Sequence, residues 1–466
     1  MYKKNWLFKL ALCMVLSIAL ILPAFLTDSA FAAPQSNAVI AATNPQVLDQ
    51  GRWAPGTYTA IQKLIEKNGK NSPNYNPSKK PYAVFDWDNT CGYSDTEENL
   101  LIYQLDNLKY KMTPAQFRYA FTYGDNAPIP EKNFKEDTFK NEAGQPINIT
   151  KIADDVCADY EFFWNNYRGL NPDAANNMTL AEIKATDQFK DFKAKFWFTY
   201  YALDETFDFD ISWTWLLNFF QGYTPEELKG LVAESTDYAL GQKIDNAYFD
   251  SPVTLPGTAG VVKNSGQLGN YFRQGLRITP EMSNLMNTLR ANGIDVYVST
   301  ASLDDVIRGY ASNPKYGYNV PAENVLGMRL VLDEAGRYKP EIPDKTLYAI
   351  NAKHGKSVNI NKYLVSKHQS NPILICGDSD GDYDMMVEFS GFNGAKKIND
   401  LSPMQMVLII NRVKGGNIGA LSKNAASQMG TANPTIVLQG RDENTGMWIP
   451  DEKTLRLGKT SLQLVK

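Results

Sequence analysis

Three short apolar runs stand out along the chain, and each ends abruptly in polar residues. Tyr82-Ala83-Val84-Phe85 passes into Asp86-Trp87-Asp88-Asn89-Thr90, and Ile294-Asp295-Val296-Tyr297-Val298 passes into Ser299-Thr300-Ala301-Ser302. The third, Ile373-Leu374-Ile375-Cys376, passes into Gly377-Asp378-Ser379-Asp380-Gly381-Asp382. Runs of this length and near-continuous hydrophobicity predict strands buried on both faces. Helical spacing is predicted over residues 58–67, 280–290, 303–310 and 358–367, so short strands alternate with helices. That alternation predicts an open, Rossmann-like parallel sheet, whose ligands bind outside the carboxyl ends of the strands. Beyond Asp400 the pattern predicts another helix over 403–412, then strand-like runs at 435–439 and 446–449.

The stretch from 91 to 279 is far too long for an ordinary crossover between strands. It is therefore expected to be an inserted, mainly helical cap, with the core formed by 81–90 and 280–466 and an arm at 33–80. Aromatic residues crowd this insertion, as in Glu161-Phe162-Phe163-Trp164, Phe196-Trp197-Phe198-Thr199-Tyr200-Tyr201 and Trp213-Thr214-Trp215.

The chain has 466 residues and a formal charge of -4, so it offers no basic field for gripping a nucleic acid backbone. With only 2 His, its ionic chemistry is expected to come from Asp and Glu. Lys3, Lys4 and Lys9 precede an apolar run that ends in Ala30-Phe31-Ala32, which predicts a signal peptide over 1–32. The expected protein is secreted or extracytoplasmic, in the cell envelope or periplasm, without stable membrane insertion after cleavage. Cys91, Cys157 and Cys376 remain, with no CxxC pair; one disulfide among them is left open.

Asp-x-Asp-x-Thr at a strand end is a weak signal by itself and also fits a simple acidic turn. The ordered set is far more specific: Asp86, Asp88 and Thr90, then Thr300 at a later strand end, then Lys356 after Gly355, then Asp378 to Asp384 in an acidic loop. These residues resemble the four motifs of the haloacid dehalogenase-like superfamily, and specifically its phosphatases. Asp86-Trp87-Asp88-Asn89-Thr90 followed by Asp95-Thr96-Glu97-Glu98-Asn99 further resembles bacterial exported phosphorylcholine phosphatases, as does Tyr297-Val298-Ser299-Thr300-Ala301-Ser302 followed by Tyr316-Gly317-Tyr318-Asn319. The chain departs from that pattern at Thr300, where Ser is familiar, and in an acidic loop that lacks Pro.

The resemblance implies a phosphoric monoester hydrolase in which Asp86 is the nucleophile and forms an aspartyl-phosphate. Asp88 would serve as general acid and then base, which requires a raised pKa. Thr300 and Lys356 would hold phosphoryl oxygens, Lys353 and Lys362 being alternatives for the lysine. Clustered carboxylates need a compensating cation, and oxygen ligands without His or Cys favour Mg²⁺. Its expected ligands are Asp86, the Asp88 carbonyl and Asp378, supported by Asp382, with Asp380 and Asp384 weaker candidates.

For a quaternary ammonium, aromatic faces and carboxylates are needed. The substrate-binding candidates are Glu97, Glu98, Trp197 and Trp213, with Trp164, Trp215 and Asp204 also weighed against plain core or surface roles. The expected substrate is a small organic phosphate, phosphocholine foremost. The alternatives are a broad-specificity acid phosphatase and a secreted choline- or glycan-binding protein on an inactive scaffold.

Overall fold

The computed structural model describes residues 47–122, 132–140, 144–252 and 265–466. The expected signal peptide and the first part of the arm lie outside them. Among the described residues, no helix is long and apolar enough to cross a membrane.

Six strands form the central sheet: β1 (Tyr82–Phe85), β2 (Asp295–Leu303), β3 (Val325–Met328), β4 (Leu374–Gly377), β5 (Met406–Ile410) and β6 (Ile436–Gln439). Their order is β6-β5-β4-β1-β2-β3, and every pairing is parallel. β1 alternates its side chains between two cores. Ala83 and Phe85 pack on one side with helices Pro55–Asn68, Pro280–Ala291 and Asp304–Ala311. Tyr82 and Val84 pack on the other, with the helical segment 354–368 and helices Tyr383–Glu388 and Gly416–Ser427. Burial on both faces explains why this strand is wholly apolar.

One expected element is corrected. Residues 403–412 do not form a helix, because Met406–Ile410 is strand β5. Met406, Leu408 and Ile410 face the first core, and Val407 and Ile409 face the second. A continuous apolar run of this kind carries no period that separates strand from helix. β3 is a further strand that the sequence pattern did not reveal.

The chain leaves the core beside Gly92–Tyr93 and returns at Arg277–Ile278, and these two segments pair antiparallel as a short stalk. Between them, helices Thr96–Asn107, Pro114–Thr122, Ile149–Asn166, Asp187–Thr206 and Phe209–Leu217 surround a separate aromatic core. Phe117 stacks on Tyr160 at 4.0 Å, and Phe196 lies 4.5 Å from Phe219. Helix Pro225–Gly241 belongs elsewhere: Leu228, Leu231 and Val232 pack into the first core of the sheet. Cys91, Cys157 and Cys376 are all free and buried, so the disulfide left open by the sequence does not form.

The cap also buries charge. Lys195 is fully buried and lies 2.8 Å from both Asp155 and Asp191, with Asp159 beside them. One ammonium cannot offset three buried carboxylates. Burial, followed by repulsion from Asp191, pushes Asp159 up to about 9, so it holds a proton at neutral pH. The folded state therefore binds a proton that an unfolded carboxyl releases near pH ~3.9. The stabilisation is complete below that pH and is lost as the pH climbs towards about 9. Asp159→Asn should flatten this dependence: the stability difference between variant and wild type should grow in favour of the variant by on the order of 1 kcal/mol per pH unit between about pH 6 and 9. Denaturant unfolding across that range checks it, and parallel curves would refute the assignment.

Candidate active site

Register places the chemistry. Phe85 lies opposite Val298 on one side and Cys376 on the other, so the residues that follow all three emerge at one level. Asp86 extends the ladder by donating its N–H to the Cys376 carbonyl at 2.9 Å. Asp86, Thr300 and Asp378 are thus neighbours although they are far apart in sequence.

Lys356 joins them from the helix beginning at His354. Gly355 lets that helix start against the preceding turn, since a Cβ there would lie 1.8 Å from the Ile350 carbonyl oxygen. The buried Lys356 ammonium donates to Asp86 Oδ1 at 2.6 Å and Asp382 Oδ1 at 2.7 Å. Burial opposes its charge, but Asp382 and Asp86 outweigh this and keep it protonated. Thr90 Oγ1 lies 2.8 Å from Asp86 Oδ2 and 3.1 Å from Asp378 Oδ1. The Asp382 Oδ2 atom accepts the N–H groups of Asp378 and Ser379, so both of its oxygens are engaged within the protein.

Asp88 stands apart from that charge network. Its Oδ1 accepts the Thr96 N–H at 2.7 Å, and its Oδ2 accepts the Ser302 hydroxyl at 2.8 Å. Burial, then the nearby Asp95, pushes Asp88 up to about 8 against these hydrogen bonds. A carboxyl in this condition can donate a proton at neutral pH. Thr300 is buried to 1% exposure, and its Oγ1 accepts the Ser302 N–H at 3.1 Å.

These groups open onto a cleft of about 420 Å³. Asp86, Asp88, Thr300, Lys356, Asp378 and Asp382 all line it, as do Glu98 and Trp213. Asp86, Asp378 and Asp382 each offer a carboxylate oxygen within 4.8 Å of the others, a set that could hold a metal ion. Asp380 also lines the cleft, and its Oδ1 accepts the Ile418 N–H near the start of helix Gly416–Ser427. Asp384 is absent from the lining. Lys353 also lines the cleft, whereas Lys362, absent from the lining, donates its Nζ to the Leu347 carbonyl.

Glu97 and Trp197 are not brought to the cleft. Glu97 is fully buried, and its Oε1 accepts the Leu303 N–H at 2.9 Å, fixing the end of β2 from behind. Trp197 donates to the Tyr271 carbonyl within the cap. Trp215 likewise donates to the Phe121 carbonyl, and Trp164 packs against the cap core. Asp204 accepts from Ser212 and does not line the cleft.

Trp213 does reach it. Its indole donates to the Ala301 carbonyl of β2 at 2.8 Å, and its ring stacks on Phe209 at 5.5 Å. Phe209, Asp95, Arg412 and Lys414 are lining residues that the sequence reading missed. Arg412 and Lys414 could have been found had 406–410 been read as a strand, since both follow its carboxyl end. Phe209 stands four residues before Trp213, one helical turn away, which is a usable signal once Trp213 is chosen.

A parallel sheet with an inserted cap and paired acids after its central strand is the arrangement expected from the sequence resemblance to haloacid dehalogenase-like phosphatases. The chain is similar to the phosphorylcholine phosphatase of Pseudomonas aeruginosa, with 26% identity over 363 residues, 73% of this chain and 78% of that protein. A conserved functionally unknown protein from Anaerococcus prevotii DSM 20548 superposes with a TM-score of 0.75 at 30% identity, covering 89% of this chain and 99% of its own. No protein-family model matches.

Removing the ammonium of Lys356 would leave Asp86 and Asp382 buried without their shared partner. Lys356→Met is expected to lower stability by about 3–5 kcal/mol and to abolish phosphate release. Thermal unfolding and a phosphomonoester assay check this; full activity would refute the placement.

Proposed function

We propose that this protein is an exported, Mg²⁺-dependent phosphomonoesterase that acts on phosphocholine through an aspartyl-phosphate. The observation that carries the reading is that one cleft combines two chemistries. Lys356, Thr300 and Asp86 line it together with the Phe209–Trp213 stack, Asp95 and Glu98. A zwitterion with an anionic phosphate and a cationic head suits such a surface, because a quaternary ammonium has no N–H to donate and is held by aromatic faces and carboxylates. The similar Pseudomonas aeruginosa protein, named for phosphorylcholine, supports the same reading.

The resemblance supplies the roles, and the contacts are compatible with them. Asp86 carboxylate attacks phosphorus in line as the P–O bond to the alcohol breaks, giving an acyl phosphate. Asp88 delivers a proton to the departing alkoxide, then takes one from the water that attacks the acyl phosphate to release inorganic phosphate. Thr300 Oγ and the Lys356 ammonium hold phosphoryl oxygens. Ser302 and Thr96 keep the Asp88 carboxyl in place between these two proton transfers.

The donor set fits a hard divalent cation, being all oxygen and compact. Asp86, the Asp88 carbonyl and Asp378 would hold Mg²⁺, and Asp382 would support them through Lys356 and the backbone. When bound, the ion neutralises charge on the phosphoryl oxygens.

Phosphate release should be greatest with phosphocholine, exceed that from phosphoserine, glycerophosphate and p-nitrophenyl phosphate, and stop with EDTA or Asp86→Asn. Trp213→Ala should raise KM for phosphocholine about 2- to 30-fold and change KM for p-nitrophenyl phosphate less. Equal turnover of all four esters would instead support a broad-specificity acid phosphatase, while choline binding without hydrolysis would support a binding protein. Export is tested separately. The sequence of residues 1–32 leads us to expect a mature chain that begins near Ala33 outside the cytoplasm, and amino-terminal sequencing of fractionated cells would detect an uncleaved chain.

A further inference from the structure

Lys356 compensates Asp86 and Asp382, but it does not reach the third carboxylate of the cluster. Asp378 has its own cation. Arg412 Nη1 donates to Asp378 Oδ2 at 2.6 Å, and Lys414 Nζ lies 3.9 Å from the same oxygen. The Asp378 side chain is only 3% exposed, whereas that of Arg412 keeps 20% of its surface open on the cleft it lines. Among the described residues, Asp378 is the acceptor for one Arg412 N–H, which leaves further donors of the planar fork available for an anion.

The backbone that aims this side chain is strained. Val413, between Arg412 and Lys414, has φ of 54°, a left-handed conformation that a β-branched residue rarely adopts. The turn is fixed from several sides. Val413 N–H donates to Asn411 Oδ1, Asn411 Nδ2 donates to the Glu452 and Leu464 carbonyls, and Thr454 Oγ1 donates to the Asn411 carbonyl. Strain of this kind persists only where surrounding structure over-determines it, and it often serves a site.

We propose that Arg412 is a second phosphoryl-holding cation of this active site, gripping the phosphate through its free N–H groups while bonded to Asp378. The assignment rests on the phosphomonoesterase reading but not on the identity of the alcohol. It makes a prediction with opposite signs for the two ligands. A guanidinium beside the carboxylate cluster attracts a phosphate and repels a divalent cation, so the enzyme gains anion affinity at the expense of metal affinity.

The test titrates the full-length mature protein with MgCl₂ alone, then with inorganic phosphate at saturating Mg²⁺, using calorimetry on wild type, Arg412→Ala and Arg412→Lys. Arg412→Ala should bind phosphate about ten-fold or more weakly, as expected for a lost charged hydrogen bond, and should bind Mg²⁺ more tightly than wild type. Its KM for p-nitrophenyl phosphate should rise. Arg412→Lys keeps the charge without the fork and should fall between the two in phosphate affinity. Thermal unfolding confirms that each variant is folded, and the lysine variant decides the matter if the alanine variant is not. Loss of Mg²⁺ and phosphate affinity together would reduce Arg412 to a support for Asp378 and overturn the proposal, as would unchanged phosphate affinity. Wild-type protein that neither binds phosphate nor hydrolyses esters would remove the phosphatase reading itself, and the proposal with it.

Discussion

The structure depends on the cost of gathering carboxylates where little water reaches them. Asp86, Asp378 and Asp382 converge because β1 and β4 pair in parallel register, and such a cluster is tolerated only with positive charge placed against it. Lys356 answers two of the acids with one ammonium, and Arg412 answers the third. Asp88, two residues from Asp86 but without a cation of its own, settles the same problem by keeping its proton. Burial and the neighbouring Asp382 push Asp86 upward as well, against Lys356, so the two aspartates differ in their partners rather than in the direction of the shift.

Much of this was legible in the sequence because the strands that deliver the site are short, apolar and abruptly terminated. Tyr82–Phe85 was delimited by its own composition, and its register then follows from parallel pairing. The candidate phosphate and metal residues came with those strand ends. What could not be read locally is how the cap meets the core. Glu97 and Glu98 are adjacent in one helix, yet Glu98 faces the cleft and Glu97 braces the loop behind it, a division set by helix rotation and tertiary docking. Trp197 and Trp213 are equally aromatic in composition, but their indole N–H groups find carbonyls on the cap strand Gly269–Gln274 and on β2, respectively. Arg412 was hidden by a different ambiguity, since Met406–Ile410 has no hydrophobic period to betray a strand.

The cap has an aromatic core of its own, while Leu100 and Leu217 of its helices pack into the first core of the sheet. Its aromatic interior stacks through Phe117, Tyr160, Phe192 and Phe196, and one helix of the insertion, Pro225–Gly241, stays with the sheet. Contact with the active site is narrow by comparison. Trp213 reaches Ala301, and the Tyr200 hydroxyl donates to Glu98 at 3.1 Å. The part of the cleft that would meet the alcohol is therefore assembled from cap residues, while the part that would meet phosphate belongs to the sheet. Under the proposed function, substitutions in the aromatic wall would alter the alcohol side of the cleft without disturbing the strand ends.

The struts that lie beyond the last acid of the site have a temporal meaning for this enzyme. Arg441 enters from a small sheet late in the chain to hold the Asn89 carbonyl in the turn after Asp88, and Asn411 is tied to the carbonyls of Glu452 and Leu464. A nascent chain that already contains every acid of the site still lacks these supports. Ordering of the catalytic loops thus waits for residues made well after the acids themselves, and synthesis runs ahead of competence.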